Sequence, residues 1–309
     1  MAIRSVALVD RTSGKLDKKE VRNVAAAIQR QIVEHISPTW GHTGSVIALE
    51  QGDTIPPTYF PVFLNTAQDS SGLDGIHYFT DRGEVYSNVN VNAPVRHWSL
   101  VASHETVEIV TDPTTDWKIP APSIREGQGT VEYLLEICDP CQHELCGYYI
   151  DNVLVSDFYI PAYFNPTSSG PLSMSRKIQK PLQIMPGGYL VWRHLGDWYI
   201  GTADGSGQVK TKPYLGMNQI GKVPGDSIRE KIDYFTNRLA GVGPNIELKG
   251  DFKCQLEEQR KRAERDAEQA MRFGKQRWKA YESHRKQISK GIRDYEKLKK
   301  EKKTNTELR

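Results

Sequence analysis

The chain has 309 residues, 38% of them hydrophobic and 26% charged, enough for one large domain or two ordinary ones with a sizeable core. No stretch approaches the roughly 18 consecutive apolar residues of a membrane-spanning helix, and four cysteines, three of them clustered, exclude a secreted disulfide scaffold and point to a reducing, cytoplasmic setting. The net charge of +3 hides an asymmetry. From Asp251 onward there are 19 Lys and Arg against 11 Asp and Glu, so a mildly acidic body carries a basic tail.

Ser5 to Val9 is a short apolar run with β-branched residues and reads as a first buried strand, lacking the cleavage site of a signal peptide. Leu16 to Ile36 follows as an amphipathic helix. Val21, Val24, Ala25, Ile28, Ile32 and Ile36 share one face, Asp17 is its N-cap, and Ser37-Pro38 is expected to stop it. Strands are expected at 45–49 and 61–64. A hairpin is expected from 75–80 and 84–91 around Asp81-Arg82-Gly83.

The next helix, from about Pro94 to Asp112, holds the stretch Ser103-His104-Glu105-Thr106-Val107-Glu108-Ile109-Val110-Thr111-Asp112-Pro113. Trp98, Leu100, Val101, Val107, Ile109 and Val110 make it apolar on most sides, so it should be buried. Charges in a core are costly unless paired or bound to a metal, which is the physical argument for a site here. His104 and Glu108, at i and i+4, project from one face about one turn apart, with Glu105 beside them. This is the metalloprotease pattern H-E-x-x-H with glutamate in the place of its second histidine.

Beyond a polar loop, 131–137 reads as a strand or buried segment. A hairpin is expected over 147–160 through Asp151-Asn152, and strands at 181–185, 189–193 and 198–202 form a late β subdomain within 170–220. Gly201 to Gly207 is glycine-rich without a phosphate-binding context and reads as a hairpin turn. Asp226 begins a further expected helix, to about Leu239. The boundary then falls near 245. The segment 246–309 is proline-free, rich in Glu, Lys, Arg, Gln and Ala, and spaced as a long coiled-coil-like helix.

A helix fixes the separation of two ligands one turn apart, so His104 and Glu108 can clamp a metal at little entropic cost, and a catalytic site needs a third protein ligand. Asp112, eight residues on and roughly 80° round the helix, is one candidate. Glu136 and Asp139 in Leu135-Glu136-Ile137-Cys138-Asp139-Pro140 are the others. A bound metal acidifies its water, and Glu105 is placed to act as general base.

His104-Glu105-x-x-Glu108-x-x-Thr111-Asp112-Pro113, the later Glu136-Ile137-x-Asp139, Val155-Ser156-Asp157-Phe158-x-x-Pro161-x-x-Phe164-x-Pro166 and Gly187-Gly188-Tyr189-x-x-Trp192 resemble a set of zincin-like proteins of bacteria and their phages. More distantly they resemble the phosphate-induced protein family of plants. The resemblance covers about residues 1–205 and excludes the basic tail. It implies an α+β zincin-like domain with a mixed sheet and a buried motif helix. It also implies His104 and Glu108 as metal ligands, Glu105 as base, and Asp112, Glu136 and Asp139 as further ligands or supporting groups. Zinc is the expected ion. The carboxylate-rich set also suits calcium or manganese. The expected function is therefore a metal-dependent peptidase acting on a protein partner. The alternative is an inactive zincin-fold structural or adaptor component, cytoplasmic or virion-associated, working through its tail.

Cys138-x-x-Cys141-x-His143-x-x-Cys146 is a second constellation of soft ligands, compressed and solitary, whose default reading is reduced cysteines in a turn. His77, His97 and His194 sit in apolar contexts and read as core or rim histidines, with His97 a spare ligand for the motif helix. The tail is expected to support homo-oligomerisation or a hetero-complex through 251–309. Its mixed charges and helical aromatics argue against nucleic acid.

Overall fold

The computed structural model describes residues 3–66, 74–80, 82–93, 97–215 and 246–307, with side chains assigned only in part beyond residue 272. The protein is α+β with two mixed or antiparallel five-stranded sheets and few helices. It divides into two compact units, Met1–Glu257 and Glu258–Arg309. Among the described residues no helix is long and apolar enough to cross a membrane.

The first sheet contains β1 (Ser5–Asp10), β2 (Val46–Leu49), β3 (Tyr59–Asn65), β4 (Gly75–Phe79) and β5 (Val85–Asn90), in the order β2-β1-β3-β5-β4. β1, β2, β3 and β5 run parallel, and β4 adds an antiparallel edge. Val6, Ala7 and Leu8 of the central β1 are fully buried, as a strand covered on both faces should be. The β4–β5 hairpin is closed by Thr80 N–H to Glu84 O at 2.9 Å with Gly83 at φ 79°, while Asp81 of the expected turn lies outside the described residues.

α1 (Lys18–Arg30) begins where expected, with the Asp17 carboxylate accepting from Lys19 N–H. It does not stop at Ser37-Pro38. The helix widens into a π-helical turn over Gln31–Ile36, in which Ser37 N–H reaches Ile32 O, and continues as α2 (Ser37–Trp40) to Gly41 at φ 72°. Pro38 lies in the first turn of the renewed helix, where its missing N–H costs nothing.

α3 (Trp98–Thr111) is the motif helix, and all fourteen of its residues are buried. It packs on β1, β3, β4 and β5 from one side and on α1 and a later hairpin strand from the other. His97, expected as a spare ligand, is instead its N-cap, with Ser99 N–H donating to His97 Nδ1 at 3.3 Å. At the far end Arg4 donates to the carbonyls of Val110 (2.8 Å) and Thr111 (2.6 Å), placing a cation on the negative end of the helix.

The second sheet, in the order β12-β11-β10-β7-β6, joins β6 (Lys118–Pro122) and β7 (Thr130–Leu134) to β10 (Tyr189–His194), β11 (Asp197–Ala203) and β12 (Val209–Leu215). The late strands thus share one sheet with residues 118–134. Between these halves lies the hairpin of β8 (Tyr148–Ile150) and β9 (Val153–Val155), turned by Asp151 and Asn152 at φ 49° and 65° as their position predicts. Residues 181–185, expected as a strand, are a turn at 181–182, with Leu182 at φ 54°, followed by irregular chain. One continuous apolar core links Val6, Leu8 and Ile28 to Tyr133, Leu190 and Trp192.

The second unit consists of α4 (Asp251–Glu307), whose first residues belong to the first unit; it is helical throughout, as its composition implies. The helix expected over 226–239 lies outside the described residues.

Candidate metal centre

Three segments meet around Glu108. α3 supplies His104, Glu105 and Glu108; β4 supplies His77; the stretch after β7 supplies Glu136 and Asp139. All six side chains are buried, none more than 5% exposed.

Helical spacing brings the first pair together: His104 Nε2 lies 3.2 Å from Glu108 Oε2. Asp139 joins them through a 3₁₀ turn over Asp139–Cys141, which sets its Oδ1 3.4 Å from the same nitrogen. That turn is held on two sides. Cys138 N–H donates to Glu108 Oε1 at 3.1 Å, and Met185 N–H donates to Pro140 O at 2.8 Å. Gly188 packs so closely on this turn that a Cβ there would come within 2.4 Å of Pro140 O, so only glycine fits.

β4 approaches from the opposite side of the cluster. A Cβ at Gly75 would meet Val101 Cγ1 at 2.4 Å and Glu105 Oε1 at 2.5 Å, so the missing side chain admits α3 and its carboxylate. Two residues along, on the same face of the strand, His77 Nδ1 lies 3.6 Å from Glu105 Oε2 and 3.8 Å from Glu108 Oε2.

The donor atoms of His104, Glu108 and Asp139 all lie within 4.8 Å of one another, and so do those of His77, Glu108 and Glu136. Two donors about 2.0–2.2 Å from one tetrahedral ion stand about 3.3–3.6 Å apart. The His104–Asp139 spacing of 3.4 Å falls in that range and the His104–Glu108 spacing of 3.2 Å just short of it, and imidazole with carboxylates is a donor set that divalent cations accept. The residues therefore fit a metal. Burial disfavours a charged His104, but the charge of Glu108, hydrogen bonds to Asp139 and Glu108, and the charge of Glu105 outweigh it and push the imidazole up to about 10. The far nitrogens, His104 Nδ1 and His77 Nε2, have no hydrogen-bond partner among the described residues, so each ring is oriented by its carboxylate side.

Of the sequence-based candidates, His104, Glu105, Glu108, Glu136 and Asp139 come together. Asp112 does not. It leaves the helix at φ −139° and turns its carboxylate into the following loop. There Oδ1 accepts from Thr114 N–H at 3.3 Å and Thr114 Oγ1 at 3.0 Å, and Oδ2 accepts from Trp117 N–H at 2.8 Å. Its role is to fold the chain back after α3. Burial raises its pKa, and the bonds from Trp117 and Thr114 oppose that.

His77 is the residue that sequence reasoning passed over. The available signal was its period-two relation to Gly75, but only the docking of α3 shows which face that is. Tyr159 was passed over too. It is fully buried, its hydroxyl has no partner among the described residues, and burial followed by the charges of Tyr163, Glu136, Glu108 and Asp139 holds it well above the usual tyrosine range.

The cysteine constellation does not form a centre. Cys138, Cys141 and Cys146 are free and buried, and His143 Nδ1 accepts from Leu145 N–H at 3.0 Å. Among the described residues no group of metal-ligand atoms includes any of them. Burial raises all three thiols well above their ordinary range, so they are neutral core groups. Comparison with protein-family models, with curated proteins and with solved structures finds no match.

Proposed function

We propose that the protein is a metal-dependent hydrolase of zincin-like fold that cleaves a peptide bond in a partner protein. The observation that carries this reading is the convergence of His104, Glu108 and Asp139 on one point with Glu105 alongside. The mixed sheet lying against a wholly buried motif helix supports the fold assignment.

His104, Glu108 and Asp139 hold the cation, zinc first, with manganese or calcium as alternatives for so carboxylate-rich a set. The cation supplies Lewis acidity, lowering the pKa of water and polarising a carbonyl. Glu105 is the general base, and its carboxylate is fixed between His77 and the bare backbone of Gly75. Cys138 N–H holds one oxygen of Glu108 and so aims the other at His104. The tail from Asp251 supplies assembly or docks the protein partner, through exposed polar positions on its first turns.

The burial of Glu105, 4% exposed, favours a second reading: a structural or adaptor component that keeps the fold and its ion without catalysis. Two measurements on the purified protein separate these. Metal analysis should find a bound divalent ion that Glu108→Ala removes, and absence of stoichiometric metal overturns the proposal. Glu105→Gln should retain the ion and lose cleavage of an unfolded protein substrate; unchanged cleavage removes Glu105 from its role. No cleavage by the metal-loaded native protein leaves the adaptor.

A further inference from the structure

Two buried side chains of ligand type, His77 and Glu136, are not among the three that hold the proposed cation. Their donor atoms close on Glu108 within the same 4.8 Å limit as those of His104 and Asp139. The two trios have the same chemistry, one imidazole and two carboxylates each, and they share one residue. Glu108 is built for sharing. Its Oε1 is taken by Cys138 N–H, and its Oε2 faces both imidazoles, 3.2 Å from His104 Nε2 and 3.8 Å from His77 Nδ1. A carboxylate oxygen has two lone pairs, enough for a cation on each side.

We propose that the site holds two divalent cations bridged by Glu108, the second seated by His77, Glu108 and Glu136. The proposal rests on the metal-centre reading and extends it from one ion to two. Glu105 Oε2 lies 3.6 Å from His77 Nδ1, so the proposed base stands beside the residues that would hold the second ion. The class of ligand is a first-row divalent cation that accepts nitrogen and oxygen donors, with manganese the useful probe.

The test loads the metal-free full-length protein with Mn²⁺, removes excess by gel filtration, counts bound manganese per chain and records its low-temperature EPR spectrum. The expected result is two ions per chain with a spin-coupled signal. His77→Asn and Glu136→Gln should each give one ion and an uncoupled signal, with far-UV circular dichroism confirming that the variants are folded. One ion with an uncoupled signal in the native protein overturns the pair and leaves the mononuclear centre standing. No bound ion overturns both. The native count decides even if neither variant folds.

Discussion

Two groups in this chain are dense in metal-ligand side chains, His104 to Glu108 on α3 and the soft ligands Cys138, Cys141, His143 and Cys146 after β7. Among the described residues only the first, joined by Asp139 from between the cysteines, enters a cluster of ligand atoms. On α3 the backbone fixes His104 and Glu108 one turn apart, and the Cys138 N–H then aims the Glu108 carboxylate so that the donor atoms are 3.2 Å apart. The cysteines have no such scaffold. Cys138 caps a single 3₁₀ turn, Cys141 ends it and Cys146 lies beyond it, and the thiols serve the apolar core, with Cys138 contributing its N–H to Glu108 rather than its sulfur to a metal. Regular backbone geometry, more than ligand density, makes a cluster converge.

The largest expected effect breaks the α3 side. Glu108→Ala removes the shared carboxylate and strands His104, His77 and the Cys138 N–H. It should empty the centre in metal analysis and cost about 3–5 kcal/mol in urea unfolding. Next comes the other side, through Asp157, whose carboxyl borders Cys141 and Cys146. Burial raises it to about 6, against hydrogen bonds from Ser175. An acid with a raised folded-state pKa binds its proton more tightly in the native protein, so stability falls as pH rises from 3.8 to about 6. Relative to Asp157→Asn, the native protein should lose on the order of 3 kcal/mol across that window. A constant difference between the two unfolding curves would show that this region is not the dry core described.

Gly75→Ala probes the contact of β4 with the centre. Its methyl group meets Val101 and Glu105, and overpacking of this kind costs about 1–3 kcal/mol. The melting temperature should drop. The smallest effect belongs to Cys141→Ala, expected to lower stability by about 0.5–2 kcal/mol while bound metal stays constant. A loss of metal in that variant would erase the contrast between the two stretches.

The parts of the fold legible in the sequence are those set by local pattern: β1, α1 from Asp17, α3, the β4–β5 hairpin and the Asp151-Asn152 turn. β6 was hidden because Pro120 and Pro122 made 118–122 read as loop. It is the edge of its sheet, where a missing N–H is tolerated. The continuation past Pro38 was hidden for a related reason, since a proline usually ends a helix, whereas here it follows the π-helical turn and falls in the first turn of α2. In the candidate site, the helical half was legible and so were Glu136 and Asp139 as carboxylates near a turn. Asp112 was misplaced because its carboxylate, once past the helix end, is taken by Thr114 and Trp117, and His77 was missed because strand patterning does not say which helix a face will meet.

The seating of Pro140 against Gly188 and Met185 has a consequence for how the molecule is made. Asp139 is held in place by residues almost fifty positions later, so the centre is a contact of high sequence separation. A nascent chain can form the His104-to-Glu108 turn as soon as α3 folds, yet it lacks the clamp for the opposing carboxylate until residues 185–188 have left the ribosome. The ligand cluster is therefore completed late in synthesis, once the segment that leads into β10 is free to hold the turn of Asp139.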